Sequence, residues 1–564
     1  MKALGFIDEA ERRLAAANVE QQRAEWIAQN FITYDTQALA ANANEKFIRL
    51  GVELAKSAVA FDDDRDLPDD ARRKLDLIKL SLTTPGPSDA KKTAELAKIA
   101  ASMDAMYGSA TYSGLDVEAI TKIMQRERDP DRVLDAWRGW HSAARPMKPL
   151  YSRFVELTNE GARELGYSDA GAMWRSKYDM PPDAFAAEVD RLWRQLQPLY
   201  ESLHRYVRRK LHLPPDRPTP AHLFGNIWAQ EWGNIFDRVR PGVEPALAGR
   251  PAEAGPHTYD LTAILESRSD IDEVGMVRIA ERFFTSLGFD PLPQTFWDRS
   301  LFRKPRDREV VCHASAWDID DEEDLRVKMC ISKTADYFQT VHHELGHNFY
   351  QRAYRHQPFL YKDSANDAFH EAIGDTIALS ITPGYLVEIG LLDREPPLES
   401  DIPLLLREAL DKIAFLPFGI MIDKWRWRVF AGDIAPDDYN ASWWALRREY
   451  QGIAPPERRG EEEFDPGAKY HIAANVPYMR YFLARILQFQ FHRALCEAAG
   501  LNGPLHRSSI YGSRAAGARL EKMLAMGRSR PWPEALEAIC GTREMDAGAM
   551  LDYFAPLSQW LGDQ

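Results

Sequence analysis

Two histidines and a glutamate in the segment Val341–His347, which reads VHHELGH, have types and spacing suited to hydrolytic metal chemistry. Four residues advance an α-helix by about one turn, so His343 and His347 would stand on one face and could bind one metal ion. Glu344 would be turned aside from the ion and could accept a proton from a water molecule activated there. The segment therefore predicts a metallopeptidase-type site, although HEXXH also arises by chance on solvated helix faces.

A third metal ligand is expected downstream, because a catalytic zinc site usually has three protein ligands and leaves the fourth position to water. The segment Ala368–Thr376, AFHEAIGDT, has apolar and small residues at helical spacing and places Glu371 and Asp375 on one helix face. Glu371 could complete the metal site, and Asp375 could accept the outer N–H of a ligating histidine. Two acids on a solvated face would be the better interpretation of an isolated EXXXD motif, but here the motif follows HEXXH.

Amphipathic helices must position these side chains, since helical periodicity dominates the chain. Proline-rich stretches such as residues 213–220 are predicted to be turns between helices rather than domain linkers. A β-hairpin is predicted just before the HEXXH helix, where alternating side chains in Glu309–Trp317 and Leu325–Ile331 flank an acidic turn. The fold class is therefore mainly α with one short β-hairpin. The predicted amphipathic helices are Ile7 to Ala40, Glu45 to Ala60, Ala71 to Leu82, Asp89 to Met103 and Pro182 to Leu211.

Composition restricts the class of protein. The chain has 564 residues and a formal net charge of -14, which argues against nucleic acid or an anionic membrane as its main partner. The longest uncharged apolar run, Ile413–Ile422, is too short to span a bilayer. No Gly/Ser-rich linker or internal repeat divides the sequence, so a single domain over residues 1–564 is predicted. The first residues contain no apolar signal core, and the chain is interpreted as a mature or trimmed form.

The chain resembles the angiotensin-converting enzyme family of zinc peptidyl-dipeptidases, which are HEXXH gluzincins. The resemblance covers essentially the whole chain through long and specific motifs: VHHELGH, FHEAIGD, LDKIAFLPFG, DKWRWRVF, YQGIAPP, FDPGAKYHI, VPYMRYF, QFQFHRALC and SRPWPEAL. It implies a single-domain homologue of bacterial type, with a large helical body and a deep central cleft. It also implies one zinc ion, bound by His343, His347 and Glu371, and a helical lid over approximately residues 1–110.

The resemblance assigns further residues to catalysis. Tyr481 and His471 match hydrogen-bond donors to the scissile carbonyl, and removing one such donor typically costs about 3 kcal/mol of barrier. His313 and Ala314 match residues of the strand that contacts the bound peptide, which would add to the sheet as a further strand. Without the family context, Tyr478 and Tyr481 would be interpreted as core aromatic residues and His313 as a structural histidine.

Three residues match the family's binding site for the free carboxylate of the substrate's C-terminus: Gln230, Lys469 and Tyr478. An ammonium and two neutral donors can hold one anion. The distance between this carboxylate site and the zinc ion determines how many residues lie between the C-terminus and the cleaved bond, because one residue extends at most about 3.6 Å. The predicted activity is therefore release of dipeptides from the free C-terminus of oligopeptides. One alternative is a single-residue carboxypeptidase of the same family, which has an arginine at the Gln230 position and lacks the phenol of Tyr478. The other is a catalytically silent peptide-binding homologue.

Chloride is a further cofactor that the resemblance implies. The segment Asn366–Ala368 departs from the family's Asn-Pro-Gly, and the carboxylate of Asp367 could pair with Arg480 in place of an anion. We therefore expect the second of two chloride sites to be weakened or lost. The residues that match the chloride sites of animal relatives are Arg175, Trp443 and Arg447 at the first, and Tyr206 and Arg480 at the second.

The cysteines bear on the cellular compartment. Relatives carry a disulfide at the positions of Cys312 and Cys330, and closing this loop would contribute roughly 3 kcal/mol to stability. Cys496 also matches a family cysteine, but Ser508 stands where relatives place its partner, and Cys540 is the alternative partner. A disulfide favours an oxidising compartment, so a periplasmic or secreted location is expected. Buried thiols in a cytoplasmic enzyme are the alternative.

Overall fold

The computed structural model describes residues 2–242 and 259–564. Helices form most of this part of the chain and the strands are short, which confirms the prediction of a mainly α fold. The strands are β1 Thr219–Pro220, β2 Ser315–Asp318, β3 Leu325–Lys328 and β4 Ile453–Ala454. The α-helices are α1 Lys2–Asn30, α2 Tyr34–Ala58, α3 Asp69–Leu80, α4 Ala90–Gly108, α5 Val117–Arg126, α6 Pro130–Ser142, α7 Lys148–Glu164, α8 Ala170–Ser176, α9 Pro182–Lys210, α10 Phe236–Val239, α11 Leu261–Ser267, α12 Glu273–Leu287, α13 Gln294–Arg299, α14 Ala335–Tyr354, α15 Asp367–Leu379, α16 Pro383–Glu388, α17 Asp401–Ala431, α18 Tyr439–Gln451, α19 Tyr470–Ala473, α20 Met479–Ala498, α21 Arg514–Leu524, α22 Trp532–Cys540, α23 Gly548–Tyr553 and α24 Ala555–Gly562.

The chain folds into two compact units, each assembled from separate segments. The first unit comprises Met1–Ser81, Pro256–Pro397 and Leu483–Tyr553. The second comprises Leu82–Gly255, Leu398–Phe482 and Phe554–Gln564. Helices α1 to α3 therefore belong to the first unit and α4 to the second, so the region predicted to be a lid is shared between the units. The lid role of residues 1–110 and the single catalytic domain stay predictions.

Helices α1 and α2 are separated at residues 31–33, whereas one helix from Ile7 to Ala40 was predicted. The hydroxyl of Thr33 accepts a hydrogen bond from the amide of Thr36, and the Thr36 hydroxyl accepts one from the amide of Thr33. This capping box starts α2 at Tyr34, and the prediction of a continuous helix was wrong because it ignored this local signal. The predicted separation at residues 41–44 was also wrong, because α2 continues through it to Ala58. The other three predicted helices correspond to α3, α4 and α9, with ends displaced by at most about five residues.

In the first unit, α14 and α15 approach closely. Each begins after a residue whose side chain accepts hydrogen bonds from backbone amides of the first turn, Thr334 for α14 and Asn366 for α15. Gly346 and Gly374 lie where the two helices meet, and a Cβ atom on Gly346 would lie 3.0 Å from Cα of Gly374. A Cβ atom on Gly374 would lie 2.6 Å from Nδ1 of His343. The glycines therefore permit the helix contact that brings the HEXXH residues against α15.

The predicted hairpin is present in the first unit, where β2 and β3 pair in antiparallel register. Its strands are shorter than predicted, because residues 309–314 are held by other contacts. Nζ of Lys328 donates hydrogen bonds to the carbonyls of Val311 at 2.8 Å and His313 at 2.7 Å. Cys312 forms a disulfide with Cys330, which confirms the expected bridge. A buried ammonium and a disulfide thus hold the segment before β2 in place of further ladder bonds.

In the second unit, the long helix α17 fixes the start of α20. Its residues 413–422 are all buried, so this apolar run is core. The buried carboxylate of Asp423 accepts hydrogen bonds from the amides of Tyr478 at 2.8 Å and Met479 at 2.7 Å, and Arg426 pairs with the same carboxylate. Asp423 thereby caps the first turn of α20. Across residues 2–242 and 259–564, no helix is long and apolar enough to cross a membrane.

Candidate active site

The three predicted metal ligands meet in the first unit. Nε2 of His343 lies 3.0 Å from Nε2 of His347 and 3.8 Å from Oε2 of Glu371. One ligand atom from each residue lies within 4.8 Å of the others. A tetrahedral zinc ion with bonds of about 2.0–2.1 Å would hold its ligand atoms roughly 3.3 Å apart. These three residues, called the metal cluster below, therefore fit such an ion.

The charges around the metal cluster favour a cation. Burial alone would lower the pKa of His343, but nearby carboxylates, chiefly that of Asp375 through a hydrogen bond, raise it to about 9. Burial and the facing His343 hold the pKa of His347 well below its usual range. The acidic surroundings thus stabilise one positive charge at the cluster. A bound metal ion would supply that charge in place of a proton.

The outer nitrogens of both ligating histidines have partners. Nδ1 of His343 lies 3.1 Å from Oδ1 of Asp375, as the sequence predicted. Nδ1 of His347 lies 3.3 Å from Nδ1 of His370, whose Nε2 lies 3.2 Å from the hydroxyl of Tyr354. Such contacts fix the tautomer and ring orientation of a metal ligand. The contact of His370 was not predicted from the sequence, and the signal for it was the position of His370 directly before Glu371 on α15.

Glu344 is buried beside the metal cluster. Burial raises the pKa of its carboxyl. The positive charge of His343 and a hydrogen bond from the backbone amide of Ala316 in β2 act in the opposite direction. A carboxylate whose pKa is moved toward neutrality can take up and release a proton near neutral pH. The placement therefore suits the predicted general base.

The predicted peptide-contacting residues directly precede β2. His313 is exposed, and its Nδ1 lies 2.9 Å from the carbonyl oxygen of Ala314. Lys328, which holds the carbonyl of His313, is buried, and burial lowers its pKa to about 8. Within the part of the chain that the structure describes, no strand pairs with the second edge of β2. An extended peptide could add at such an edge. The contact of His313 and Ala314 with a bound peptide stays a prediction.

The three predicted carboxylate-binding residues meet in the second unit and are called the anchor cluster below. Nζ of Lys469 donates a hydrogen bond of 2.5 Å to Oε1 of Gln230, and the hydroxyl of Tyr478 lies 3.4 Å from the same oxygen. The ammonium also lies 4.1 Å from the ring centroid of Trp228. Tyr478 and Lys469 are buried, with 3% and 5% of their surfaces exposed. The cluster therefore presents a cation and neutral polar groups around one point.

Two features of the anchor cluster are typical of binding sites. Burial lowers the pKa of Lys469 to about 7, and although Glu231 favours the ammonium, Arg447 opposes it. Such a buried cation is best stabilised by an anion. Ala229, next to Gln230, has φ of 50°, a conformation that costs energy for a residue other than glycine. Strain of this kind clusters at binding sites, where the surrounding structure enforces it.

The predicted oxyanion donors lie next to the anchor cluster in the second unit. The ring of His471 lies 4.6 Å from that of Tyr478 and 5.6 Å from that of Tyr481, centroid to centroid. Burial, followed by the charge of Lys469, lowers the pKa of His471 to about 2. Its buried Nδ1 has no hydrogen-bond partner within residues 2–242 and 259–564. The imidazole is therefore neutral, and in the tautomer with its single proton on Nε2 it can donate one hydrogen bond from that nitrogen.

The residues matched to the first chloride site lie in the second unit. Arg447 is buried, its guanidinium carbon lies 6.0 Å from the ring of Trp443, and its Nη2 donates a hydrogen bond of 2.7 Å to the carbonyl of Trp228. Burial lowers the pKa of Arg447 to about 9. Arg175 lies over the ring of Trp427 instead, at 5.1 Å. Nε of both arginines is buried without a partner among the described residues, which suits an anion.

The residues matched to the second chloride site have protein contacts of their own. The hydroxyl of Tyr206 donates a hydrogen bond of 2.5 Å to the carbonyl of Val239, and its ring packs 5.0 Å from that of Trp560. Arg480 lies in the first turn of α20, and its Nε, like those of Arg175 and Arg447, forms no hydrogen bond to a described residue, although the side chain has other interactions. Asp367 is the first residue of α15, where a carboxylate is favoured by the helix dipole. The loss of this chloride site stays a prediction.

The remaining two cysteines are both free thiols. Cys496 is buried on α20, and its Sγ lies 3.6 Å from Nε2 of His492. Cys540 ends α22, and its Sγ lies 3.7 Å from the carbonyl oxygen of Gln490. The alternative pairing of Cys540 with Cys496 is therefore not formed. Ser508, at the position of the family's partner cysteine, donates a hydrogen bond to the carbonyl of Pro504 instead.

Residues 1–564, the whole chain, match the Peptidase_M2 family, described as angiotensin-converting enzyme. The chain belongs to this family. The angiotensin-converting enzyme of Sus scrofa is 50% identical to it over 81% of the chain. The enzyme of Bos taurus is 43% identical over 99% of the chain, and that of Theromyzon tessulatum is 42% identical over 78%. The chain is thus similar to family members from mammals and a leech across most of its length.

The mammalian family members are much longer than this chain. The matched part amounts to 34% of the Sus scrofa protein and 44% of the Bos taurus protein, but to 71% of the Theromyzon tessulatum protein. Membership of the angiotensin-converting enzyme family agrees with the metal cluster and with Glu344.

Proposed function

We propose that the protein is a zinc-dependent peptidyl-dipeptidase, which releases dipeptides from the free C-terminus of oligopeptides. The observation that carries the proposal is the presence, in one chain, of a complete metal cluster with Glu344 beside it and a complete anchor cluster around a buried ammonium. Membership of the angiotensin-converting enzyme family supports the same activity. A catalytically silent peptide-binding homologue would be expected to have lost metal ligands or the base, and all of them are present.

Glu344 acts as the general base and then as the general acid. When zinc is bound, it lowers the pKa of a water molecule toward 7 and polarises the scissile carbonyl. Glu344 accepts the proton of the attacking water and passes it to the departing amine. The resemblance assigns to Tyr481 and to the neutral His471 the donation of hydrogen bonds to the developing oxyanion. Activation of the water, stabilisation of the oxyanion and protonation of the departing amine are thereby each assigned to a residue or ion.

The anchor cluster selects the bond that is cleaved. Lys469 supplies an ammonium to the substrate's terminal carboxylate, and Gln230 and Tyr478 supply neutral donors. The resemblance implies that the cleaved bond lies two residues from the carboxylate bound by the anchor cluster, so the product is a dipeptide. The single-residue carboxypeptidases of the family differ at these positions, with an arginine in place of Gln230 and without the phenol of Tyr478. Both dipeptidase-type residues are present here, which favours dipeptide release.

Mass spectrometry of the products from one decapeptide tests the proposed function. The peptide is supplied with a free carboxylate or as the C-terminal amide, with and without a metal chelator. We expect dipeptides from the free acid, poor cleavage of the amide and no products with chelator. Release of single residues would favour the carboxypeptidase alternative, and equal cleavage of acid and amide would contradict the role of the anchor cluster. Absence of products after zinc addition would favour a silent homologue.

Chloride binding and location complete the proposal. A chloride ion at Arg175 and Arg447 is supported by two buried guanidinium Nε atoms without a partner in the described part of the chain. A periplasmic or secreted location is supported by the disulfide between Cys312 and Cys330, because disulfides persist in oxidising compartments. Chloride is tested by varying its concentration at constant ionic strength. Location is tested by fractionating cells that express the full-length gene.

A further inference from the structure

A salt bridge extends outward from the metal cluster within the first unit. Nη1 of Arg485 lies 3.3 Å from Oδ2 of Asp375, and Oδ1 of Asp375 lies 3.1 Å from Nδ1 of His343. The two carboxylate oxygens thus have different partners, a guanidinium and the outer nitrogen of a metal-cluster histidine. All three side chains are about one-fifth exposed, at 19%, 18% and 20% respectively. The pair is therefore partly shielded from solvent screening.

Arg485 is an exception in its part of α20. Between Phe482 and His492, every residue except Arg485 is buried. Helix propensity does not require a cation at this position, and the surrounding stretch is mainly apolar core. A cation that interrupts such a stretch is expected to have a specific anionic partner. Asp375 on α15 provides that partner.

The packing of α15 against α20 fixes the salt bridge in register. The hydroxyl of Thr376 lies 3.2 Å from the carbonyl oxygen of Gln488, and the ring of Phe369 lies 5.2 Å from that of Phe491. These contacts join the same two helices as the pair of Asp375 with Arg485. The relative position of Arg485 and Asp375 is therefore set by buried contacts on the same helices and not by the flexible side chains alone.

We infer that Arg485 is a positioning residue for the metal ion: it holds the carboxylate of Asp375 in the orientation that fixes His343 for metal binding. With one oxygen engaged by Arg485, rotation of the carboxylate away from His343 would break two interactions instead of one. Asp375 then keeps the proton of His343 on Nδ1 and leaves Nε2 available to the metal. This inference rests on the proposed zinc binding and adds a residue outside the HEXXH and EXXXD motifs.

The direction in which zinc affinity changes when Arg485 is replaced distinguishes a positioning role from a purely electrostatic one. Arg485 is positively charged, so its removal would, through charge alone, strengthen the binding of a cation. Loss of the orientation of Asp375 and His343 would weaken it. Substitution of direct outer partners of a metal ligand typically reduces metal affinity by 10- to 100-fold, and we expect about three- to tenfold for this more distant residue.

The experiment measures zinc affinity of the full chain by competition with a chromophoric chelator. Arg485→Met is expected to raise the Kd for zinc about three- to tenfold, and to shift the visible absorption bands of the Co²⁺-substituted protein. Arg485→Lys, which keeps the charge but loses the planar guanidinium, should lie between Met and wild type. In an Asp375→Asn background, Arg485→Met should no longer weaken zinc binding. This double-mutant comparison isolates action through Asp375.

Arg493→Met is the matched control. Arg493 lies two turns further along α20, and its Nη1 forms a salt bridge of 2.9 Å with Asp552, away from the metal cluster. We expect it to leave the Kd for zinc and the Co²⁺ spectrum unchanged. Zinc binding by Arg485→Met and Arg485→Lys as tight as wild type, or equal weakening by Arg485→Met with and without Asp375, would overturn the inference. Failure of the wild-type protein to bind zinc would instead overturn the proposed function.

Discussion

Nζ of Lys469 lies 2.5 Å from Oε1 of Gln230, although 239 residues separate them in the sequence. The amide oxygen of Gln230 satisfies a buried ammonium, and a substrate carboxylate would be a stronger, charge-assisted acceptor at the same point. Because burial lowers the pKa of Lys469 to about 7, the charge of the anchor cluster is itself sensitive to pH. The contact thus links substrate recognition to the protonation of one lysine.

The pH dependence of cleavage should depend on the substrate's C-terminus. A lysine with a lowered pKa is charged below that pKa and neutral above it, so the ammonium is lost as pH rises through about 7. We expect kcat/KM for a free-acid peptide to fall about tenfold per pH unit above this pKa, since this parameter reports the free enzyme. The corresponding peptide amide should cleave slowly and lack this decline. Steady-state kinetics on the two peptides from pH 6 to 9 measures the difference.

Lys469→Arg provides the control for that assignment, because arginine remains charged throughout this pH range. The variant should lose the decline above pH 7 even if its KM is higher. A decline of the same size for free acid and amide, or one that survives in Lys469→Arg, would assign the alkaline limb to another group.

Substitution of Glu344 should separate catalysis from metal binding. Glu344→Gln is expected to reduce kcat by about 10²- to 10⁴-fold, since it removes the proton acceptor. Zinc stoichiometry should stay near one, because Glu344 is outside the metal cluster. Kinetics and metal analysis on the same preparation test both statements. Glu309→Gln, which changes an exposed glutamate before β2, should retain wild-type kcat, and a comparable loss in this control would contradict a specific role for Glu344.

Zinc affinity should increase with pH well above the usual range for histidine. Nearby carboxylates, against the effect of burial, raise the pKa of His343 to about 9, so below pH 9 zinc must displace a proton from this residue. The pKa of His347 is held low, so it contributes no such competition. We expect the Kd to fall about tenfold per pH unit between pH 7 and 8.5. Two histidines with ordinary pKa values would give a nearly constant Kd there, and that result would contradict the coupling to Asp375.

The metal cluster and its fold class could be predicted from the sequence because their signals are local. Helical periodicity alone places His343 above His347, and the same periodicity places Asp375 one turn from Glu371. The contacts of His370 and Arg485 could not be predicted in this way. They depend on which faces of α14, α15 and α20 meet, and no short-range pattern encodes that register.

The anchor cluster shows a different limit of sequence analysis. Gln230, Lys469 and Tyr478 come from distant segments, and only the family resemblance grouped them before the structure did. The break between α1 and α2 was missed although Thr33 is a strong local signal. The shortened β2 has a long-range cause, because the buried ammonium of Lys328 takes up carbonyls of the preceding segment.

The disulfide should stabilise the segment that leads to β2. Cys312 and Cys330 are separated by 18 residues, and the chain-entropy estimate for a loop of this size is roughly 3 kcal/mol. We expect Cys312→Ser to lower the unfolding temperature and to increase susceptibility to proteolysis around residue 313. Differential scanning calorimetry and limited proteolysis measure these effects. Cys540→Ser, which alters a free thiol, is the control, and an equal change in both variants would contradict the contribution of the bridge.

Chloride should act through the first of the two matched sites. Arg175 and Arg447 each have a buried Nε without a partner in the described chain, and an anion could satisfy either one. Nε of Arg480 forms no hydrogen bond to a described residue either, although that side chain has other interactions, so the choice of the first site rests on the expected pairing of Arg480 with Asp367. We expect chloride to raise kcat/KM in wild type, and Arg175→Gln to raise the chloride concentration needed by about tenfold, as expected when a hydrogen bond to a charged group is lost. Arg480→Gln should leave the chloride response unchanged, because Asp367 is expected to replace the second anion. The dependence of kcat/KM on chloride is measured with acetate replacing chloride at constant ionic strength. Strong activation by chloride that disappears in Arg480→Gln but survives in Arg175→Gln would show that the second site binds the activating ion.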